Sequence, residues 1–390
     1  MNDFIFHNPD KVYFGKNHTE HLPKELLNFG KKVLLVYGGG SIKKNGLYDL
    51  ICKMAKENGI ELFELAGVEP NPRHSTANKG ATICKKEGID VVLAVGGGST
   101  IDCAKGVAAA AKTPDGDVWN IVKRGEWVTE ALPIVAVLTN AATGSEMDAW
   151  AVISNMDTNE KLSLGGNCLI PRAAFENPEY SYSLPPYQTA CGAFDIFNHV
   201  LDNYYLAGDA SFDMITEFQE AVMRTVVKWT PVALREPENY EARANLMWAS
   251  SMALNTVLDA GTVHGCACHM MEHELSAYYD ITHGHGLAIV TPRWLSHILN
   301  ENTAPQIYRL GVKVFGIADD MEVMEGAKKA IEAVSDFCVR VLGLKANLSE
   351  LGIGEEHFTD MAKHACMGGE IPGPKNLSAK DIEEIYRMCL

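Results

Sequence analysis

Three short runs of apolar, mostly β-branched residues, each ending abruptly at glycine or small polar residues, constrain this fold more than any other feature. The runs occupy residues 31–37, 90–95 and 133–138. Continuous apolar runs of this length are typical of strands buried on both faces, as in a parallel sheet. Helix-compatible stretches separate them at residues 47–58 and 75–87. The alternation predicts a doubly wound α/β domain.

The second half of the chain has a different pattern. Strand signals become rare after Pro185 and Pro186, and long helix-compatible stretches follow at residues 187–207, 211–230, 247–277 and 319–341. We therefore predict an α/β domain with a mainly parallel sheet over residues 1–183, and an all-helical domain over residues 184–390.

Composition excludes several classes of partner. The net charge is -16 and the pI is about 5.3, which argues against nucleic acid and anionic membranes as main partners. No apolar run approaches the roughly 18–20 residues of a membrane helix, and the first residues lack the pattern of a signal peptide. The ten cysteines show no framework spacing, so they indicate reduced thiols and a cytoplasmic protein.

Two glycine loops follow the first two predicted strands. Gly96, Gly97 and Gly98 precede a helix-compatible stretch, so their backbone can approach a phosphate at a helix N-terminus. Ser99 or Thr100 is expected to cap that helix and donate to the phosphate. A tight turn without a ligand is the alternative. Neither loop is a G-x-G-x-x-G fingerprint or a Walker A sequence.

The loop after the first strand favours NADP(H) over NAD(H). It contains small residues, Ser41 and two lysines, Lys43 and Lys44, and it has no carboxylate that would bind ribose hydroxyls and repel a 2′-phosphate. Simple solvation of the lysines is the alternative. After the third strand, the hydroxyls of Thr139, Thr143 and Ser145 suit a pyrophosphate or the nicotinamide amide, although this motif taken alone is better explained as a plain polar loop.

Histidines and one aspartate have the spacing of a metal site. Asp195 and His199 are four residues apart in a predicted helix, and His269 and His273 repeat that spacing in another. His283 and His285 follow in what we predict to be a turn. One carboxylate and three imidazoles can bind a divalent metal. The sequence is not HExxH, which excludes a zincin protease.

A cysteine cluster is a weaker rival. Cys266 and Cys268 are two residues apart, so they would face different directions on a helix. No second cysteine pair follows at zinc-finger spacing. Buried or incidental thiols explain them better than a zinc site.

Over nearly its whole length the chain resembles the iron-containing (group III) alcohol dehydrogenase family, particularly its NADPH-dependent butanol dehydrogenase and aldehyde reductase branch. The resemblance rests on residues 96–105 and 142–147, on the Asp195 and His199 pair, and on His269 and His273 followed by His283-Gly284. It implies an N-terminal dinucleotide-binding domain and an all-helical metal-binding domain of the dehydroquinate synthase-like fold.

The resemblance also implies roles for individual residues. The implied metal ligands are Asp195, His199, His269 and His283, and His273 would lie near the substrate. The implied cofactor contacts are Gly38, Gly39, Ser41, Gly97, Gly98, Ser99, Asp102, Thr139, Thr143, Lys161 and Tyr180. Two positions depart from the pattern: Asp148 adds a negative charge near the cofactor, and His285 has no assigned role.

These observations together predict a metal-dependent alcohol dehydrogenase or aldehyde reductase. It would transfer hydride between NADP(H), with NAD(H) as the alternative, and a short-chain primary alcohol or aldehyde. Fe(II), or Zn(II), would act as a Lewis acid on the substrate oxygen, and His273 or a water would exchange the proton. We also expect a homodimer or higher homo-oligomer.

Three alternatives remain at this stage. A glycerol dehydrogenase-like enzyme would oxidise a polyol at a similar site. A non-redox lyase resembling dehydroquinate synthase would need a strongly basic pocket, and no cluster of arginine and lysine surrounds the metal motifs. A metal-stabilised structural protein would leave the glycine loops unexplained.

Overall fold

The computed structural model describes residues 2–207 and 212–390, which form two compact units. One unit is His7–Leu184, and the other is Pro185–Leu390 together with the N-terminal residues as far as Phe6. The division falls one residue from the predicted boundary. The first residues group with the helical unit, whereas we had placed them in the α/β domain.

The α/β unit contains eight strands. They are β1 Val12–Phe14, β2 Lys32–Tyr37, β3 Glu61–Ala66, β4 Val91–Gly96, β5 Ile134–Leu138, β6 Trp150–Asn155, β7 Glu160–Gly165 and β8 Ala173–Glu176. Six of them form a parallel sheet in the order β1-β8-β5-β4-β2-β3. The three predicted strands are β2, β4 and β5, and the residues of β4 and β5 are all buried.

The helices of this unit connect the parallel strands. They are α1 Leu22–Leu27, α2 Ser41–Lys44, α3 Leu47–Glu57, α4 His74–Glu87, α5 Gly98–Ala110 and α6 Val118–Arg124. The sequence did not predict the antiparallel pair β6–β7, which forms a separate two-stranded sheet. The α/β class predicted from strand–helix alternation is confirmed.

The second unit consists of helices joined by loops in its described part, with one isolated antiparallel bridge between Ile371 and Leu377. Its helices are α7 Pro186–Val200, α8 Asp213–Arg235, α9 Tyr240–Leu254, α10 Ala267–Tyr279, α11 His283–Ile298, α12 Ala304–Leu310, α13 Val323–Asp336, α14 Phe358–Ala365 and α15 Ala379–Met388. No helix in the described part of the chain is long and apolar enough to cross a membrane.

Some helix predictions need correction. The stretch 247–277 is not one helix, because α9 ends at Leu254 and α10 begins at Ala267. The stretch 319–341 becomes helical only at Val323. The stretch predicted from 211 starts at Asp213, and residue 211 lies outside the described residues. A π-helical turn, Leu201–Tyr205, directly continues α7.

Candidate metal centre and dinucleotide-binding loops

Helix α7 presents the first two predicted metal ligands, Asp195 and His199. The helix is buried over most of its length, and the two residues are one turn apart on the same face. His199 Nδ1 lies 3.3 Å from Asp195 Oδ1. Burial lowers the pKa of His199 well below its usual value, and the neighbouring His269 and His283 lower it further. His199 is therefore neutral at physiological pH, which is the form that binds a metal.

His269 lies near the beginning of α10, with its Nε2 4.0 Å from Asp195 Oδ1. Its other nitrogen, Nδ1, lies 3.0 Å from Oδ2 of Asp202, in the π-helical turn after α7. The same oxygen accepts hydrogen bonds from the backbone N–H groups of Cys268 and His269, at 2.9 and 3.1 Å. Asp202 thus holds both the start of the helix and the imidazole that it carries.

His283 is the first residue of α11, with its Nε2 3.5 Å from Asp195 Oδ1. We predicted a turn here, and the structure corrects this, because residues 283–286 form the first helical turn. A Cβ added to Gly284 would lie 2.0 Å from the backbone oxygen of Cys191 in α7. Glycine at this position therefore allows α11 to start close to α7, beside Asp195.

The three imidazoles thus converge on one carboxylate oxygen. The ligand atoms of Asp195, His199 and His269 all lie within 4.8 Å of one another. His199 Nδ1 and His269 Nε2 are buried and have no hydrogen-bond partner among the described residues. Buried polar atoms are normally satisfied, and a divalent cation coordinated by this set would satisfy them. The residues present therefore fit a metal ion.

His273 lies at the margin of this cluster. It forms a second group of potential ligands with Glu272 and His283, whose atoms lie within 4.8 Å of one another. The rings of His273 and His283 are 5.6 Å apart. His273 is half-buried, so it combines proximity to a predicted ligand with access to solvent.

The remaining histidines of this region have other partners. His285 Nδ1 lies 3.0 Å from the Tyr187 hydroxyl, and its Nε2 lies 3.2 Å from the backbone oxygen of Lys345. Burial lowers the pKa of His285. His264 and His297 pair with aspartates away from the cluster. The structure therefore gives His285 a packing role and leaves it outside the metal site.

The cysteines do not form a rival site. Among the described residues, neither Cys266 nor Cys268 belongs to a group that could hold a metal. Burial raises the pKa of the Cys268 thiol well above its usual value, whereas Cys266 is exposed. A raised pKa opposes the thiolate that a metal requires.

In the α/β unit the two glycine loops lie side by side. β2 and β4 are paired neighbours, while β3 lies beyond β2 and β5 lies beyond β4. The strand order therefore reverses between β2 and β4, and each strand leads directly into a glycine loop at its carboxyl end. Ligands of open α/β sheets bind at such a reversal.

The loop after β4 is built differently from our expectation. Gly97 precedes α5 as its cap residue, and no side chain caps the helix, so neither Ser99 nor Thr100 does so. The Ser99 hydroxyl instead donates to the backbone oxygen of Pro70. A Cβ added to Gly98 would lie 2.2 Å from Thr143 Oγ1, so glycine lets the helix start pack against the loop after β5.

Asp102 in α5 links the loop after β5 to the β6–β7 pair. Its Oδ1 accepts from the Ser145 hydroxyl at 2.6 Å, and its Oδ2 accepts from the backbone N–H of Val152 at 2.9 Å. Burial raises the pKa of Asp102 to about 6, although the Lys105 ammonium group opposes the rise. Both carboxylate oxygens thus anchor structure in this unit.

The unusual Asp148 carboxylate is neutralised. Lys105 is fully buried, and its ammonium lies 2.7 Å from Asp148 Oδ1. Lys105 also donates to the backbone oxygens of Asp148 and Trp150. Burial raises the pKa of Asp148 above its usual value, although the Lys105 ammonium group opposes part of the rise. The negative charge of Asp148 is therefore balanced within the protein.

The remaining predicted cofactor residues occupy several elements. Thr139 follows β5 directly, and its backbone N–H donates to the backbone oxygen of Gly96. Lys161 is buried in β7. Tyr180 follows β8, and its hydroxyl lies 2.7 Å from Thr19 Oγ1. Their cofactor roles remain predictions.

In the first loop, Gly39 and Ser41 are exposed, and the ammonium group of Lys43 lies close to two neighbouring side chains. The Lys43 ammonium lies 4.4 Å from the centre of the Tyr48 ring and 4.0 Å from Glu64 Oε2. Glu64 also accepts hydrogen bonds from the hydroxyls of Tyr37 and Tyr48, both at 2.6 Å. Lys43 and Lys44 are both exposed, and Lys43 in addition contacts the Tyr48 ring and lies near Glu64.

Two family models match the chain, one in each unit. The model described as iron-containing alcohol dehydrogenase matches residues 9–178, and the model of the C-terminal part of the Fe-containing alcohol dehydrogenase family matches residues 189–390. The chain belongs to the iron-containing alcohol dehydrogenase family. It is accordingly an oxidoreductase, and membership of this family implies iron and a nicotinamide cofactor.

Individual members of the family are similar over the whole chain. NADH-dependent butanol dehydrogenase B of Clostridium acetobutylicum is 46% identical, with 99% of each chain covered. The NADPH-dependent aldehyde reductase YqhD of Escherichia coli is 36% identical over 90% of each chain. A crystal structure of NADH-dependent butanol dehydrogenase A from Thermotoga maritima aligns with a TM-score of 0.94 and 39% identity, covering 100% of this chain and 99% of that one.

Sequence reasoning about this dehydrogenase missed two carboxylates, Asp202 and Glu272. Each contacts the Nδ1 of a predicted ligand histidine. Asp202 is seven residues after Asp195, so it continues the same helical face, and Glu272 is three residues after His269. That periodicity was the available signal, but it does not show which histidine each carboxylate reaches.

Proposed function

We propose that this dehydrogenase interconverts short-chain aldehydes and primary alcohols with NADP(H), at a metal held by Asp195, His199, His269 and His283. One observation carries the proposal: three imidazoles lie 3.3, 4.0 and 3.5 Å from the same oxygen of Asp195. Fe(II) is the proposed metal, and Zn(II) is the alternative.

The chemistry follows from the donor set. A divalent metal supplies Lewis-acid polarisation of the substrate oxygen when it is bound there, and the nicotinamide ring supplies or accepts the hydride. The direct ligands would contribute one negative charge, from Asp195, and neutral imidazoles such as His199. A divalent cation exceeds the charge of these direct ligands and so favours an alkoxide over the neutral alcohol, while Asp202 and Glu272 add negative charge behind two of the imidazoles.

His273 is the proposed proton carrier. It lies beside His283, and its side chain is half-buried, so it is close to a proposed ligand and partly accessible to solvent. A general acid or base must be within hydrogen-bond reach of the reacting oxygen, directly or through one water. The position of His273 supports this role.

The proposed cofactor contacts fall into groups. Gly38, Gly39 and Ser41 would hold the adenosine end, and Gly97, Gly98 and Ser99 would hold the pyrophosphate. Asp102, Thr139 and Thr143 would lie near the nicotinamide, and Lys161 and Tyr180 would make further cofactor contacts. The strand-order reversal between β2 and β4 supports the first two groups.

NADP(H) is favoured by the charge around the first loop. No carboxylate stands in residues 38–41, and the nearby Glu64 accepts from two tyrosine hydroxyls and lies 4.0 Å from the Lys43 ammonium, which balances its charge. Lys43 and Lys44 supply positive charge for a 2′-phosphate. The names of relatives divide on this point: the butanol dehydrogenases are NADH-dependent, and YqhD is NADPH-dependent. NAD(H) is therefore the alternative to test.

The proposed setting is the cytoplasm, and the proposed assembly is a homodimer or higher homo-oligomer. All ten cysteines are free, which supports a reducing compartment. Size-exclusion chromatography with light scattering would measure the assembly.

The test is NADPH oxidation with butyraldehyde, followed by near-ultraviolet absorbance under anaerobic conditions. Parallel reactions contain Fe(II), Zn(II) or a chelator, and NADH replaces NADPH in a matched series. Metal-dependent turnover that is faster with NADPH supports the whole proposal. Faster turnover with NADH retains the reaction and reverses the cofactor assignment. If the enzyme turns over glycerol or another polyol but none of the short aldehydes, the proposed substrate class is wrong.

A further inference from the structure

Two buried carboxylates link the three helices that carry the metal ligands. Asp202, in the turn that continues α7, contacts His269 at the start of α10. Glu272, in α10, contacts His283 at the start of α11. We propose that Asp202 and Glu272 are positioning residues that hold His269 and His283 with Nε2 directed at the metal, an inference that rests on the proposed metal site.

Asp202 acts on the helix and the ring through a single atom. Its Oδ2 lies 2.9 and 3.1 Å from the backbone nitrogens of Cys268 and His269, and 3.0 Å from His269 Nδ1. The first N–H groups of a helix have no partner within it, so the carboxylate satisfies them. The same atom fixes the rotation of the imidazole relative to the helix that carries it.

Glu272 is fully buried, and both of its oxygens are engaged. One accepts from the hydroxyl of Ser276, one turn later in α10, and the other contacts His283 Nδ1. A Cβ added to Gly286 would lie 2.8 Å from Glu272 Cγ, so glycine leaves room for the carboxylate beside α11. The position of Glu272 is thus determined from both helices.

The consequence for the imidazoles is a fixed tautomer. A carboxylate only accepts hydrogen bonds, so of the two neutral tautomers it selects the one with a proton on Nδ1 and a lone pair on Nε2. Those Nε2 atoms are the ones that lie 4.0 and 3.5 Å from Asp195 Oδ1. The carboxylate also makes the imidazole a stronger electron donor to a metal.

The experiment measures Zn(II) affinity by competition with a chromophoric chelator, without any turnover. The variants are Glu272→Gln and Asp202→Asn, and the matched control is Glu274→Gln. Glu274 is a buried carboxylate in the same helix, but it lies 3.5 Å from His364 and away from the metal ligands. We expect the dissociation constant to rise about 10–100-fold in the first two variants and to stay unchanged in the control.

A second measurement separates positioning from folding. Nitrogen NMR of the metal-free protein, labelled at histidine, reports the tautomer of each ring. We expect the His283 signal to lose its Nδ1-protonated signature in Glu272→Gln, with the unfolding temperature of the metal-free variant close to that of Glu274→Gln.

The outcomes are distinct. Zinc affinity in Glu272→Gln equal to that of Glu274→Gln, with an unchanged His283 signal, would overturn the positioning role while leaving the metal site intact. Failure of the unsubstituted protein to bind Fe(II) or Zn(II) would overturn the metal site and, with it, this inference.

Discussion

At the residue scale, the partners of a histidine decide its role more than its spacing does. His283 and His285 are two residues apart in the same helix. The two nitrogens of His283 lie near the carboxylates of Asp195 and Glu272. In His285, Nδ1 contacts the Tyr187 hydroxyl and Nε2 contacts a backbone oxygen. Of these two histidines, only His283 therefore directs an imidazole nitrogen at Asp195.

The proposed proton carrier can be separated from the ligands by substitution. In His273→Gln we expect kcat to fall by about 10²–10⁴-fold, because a general acid–base group typically contributes that factor. Metal content should be retained, since Asp195, His199, His269 and His283 are unchanged. Steady-state kinetics and metal analysis of the same preparation provide the measurement.

The matched control is His264→Gln, an exposed histidine of the same unit that pairs with Asp259. It should leave kcat unchanged. Loss of bound metal in His273→Gln, in proportion to the lost activity, would instead make His273 a ligand.

At the element scale, the helix ends build the site. The predicted single helix over 247–277 is interrupted, and the interruption gives α10 a free N-terminus at which Asp202 accepts two backbone hydrogen bonds. α11 begins at His283 itself. Two of the three imidazoles thus lie in the first turn of a helix, where neighbouring chain segments approach closely.

Gly284 tests the close approach of α11 to α7. In Gly284→Ala the new Cβ would meet the Cys191 backbone oxygen at 2.0 Å, which requires the helices to move. We expect a loss of about 1–3 kcal/mol of stability, typical of overpacking, and weaker metal binding because His283 is the adjacent residue. Thermal or denaturant unfolding and chelator competition measure the two effects.

Gly369→Ala is the control, since the nearest atom to its added Cβ is 3.9 Å away. It should preserve metal affinity. Wild-type stability and metal affinity in Gly284→Ala would show that α11 does not need this contact to place His283.

At the scale of the whole molecule, the proposed metal ligands span residues 195–283 and come from three helices of one unit. Such a site exists only in the folded chain, so metal binding should stabilise the fold by mass action. The Lys105–Asp148 pair in the other unit shows a different solution to buried charge, in which both charges belong to the protein.

Removing the metal should therefore lower the unfolding temperature. At a free metal concentration one hundred times the dissociation constant, the expected stabilisation is about 2.7 kcal/mol. Calorimetry with Fe(II) or Zn(II), and then with excess chelator, measures the difference. Mg²⁺ is the control cation, since it prefers oxygen ligands. Equal stabilisation by Mg²⁺ would contradict a site built from imidazoles.

The class of fold and the types of donor in the proposed site could be predicted from the sequence. The apolar runs at 31–37, 90–95 and 133–138 correspond to β2, β4 and β5, because burial on both faces leaves an uninterrupted apolar pattern. The Asp195–His199 pair was predictable in the same way, since four residues span about one helical turn. Family resemblance supplied the remaining ligands.

Which groups come into contact depends on the tertiary packing. The strand order reverses between β2 and β4, and Asp202 and Glu272 each contact a histidine from another part of the chain. The different roles of His283 and His285 likewise depend on partners that are distant in sequence. The physical reason is one of range. Local periodicity reports which face of an element is buried, whereas the partner on that face depends on the packing of elements that are far apart in the chain.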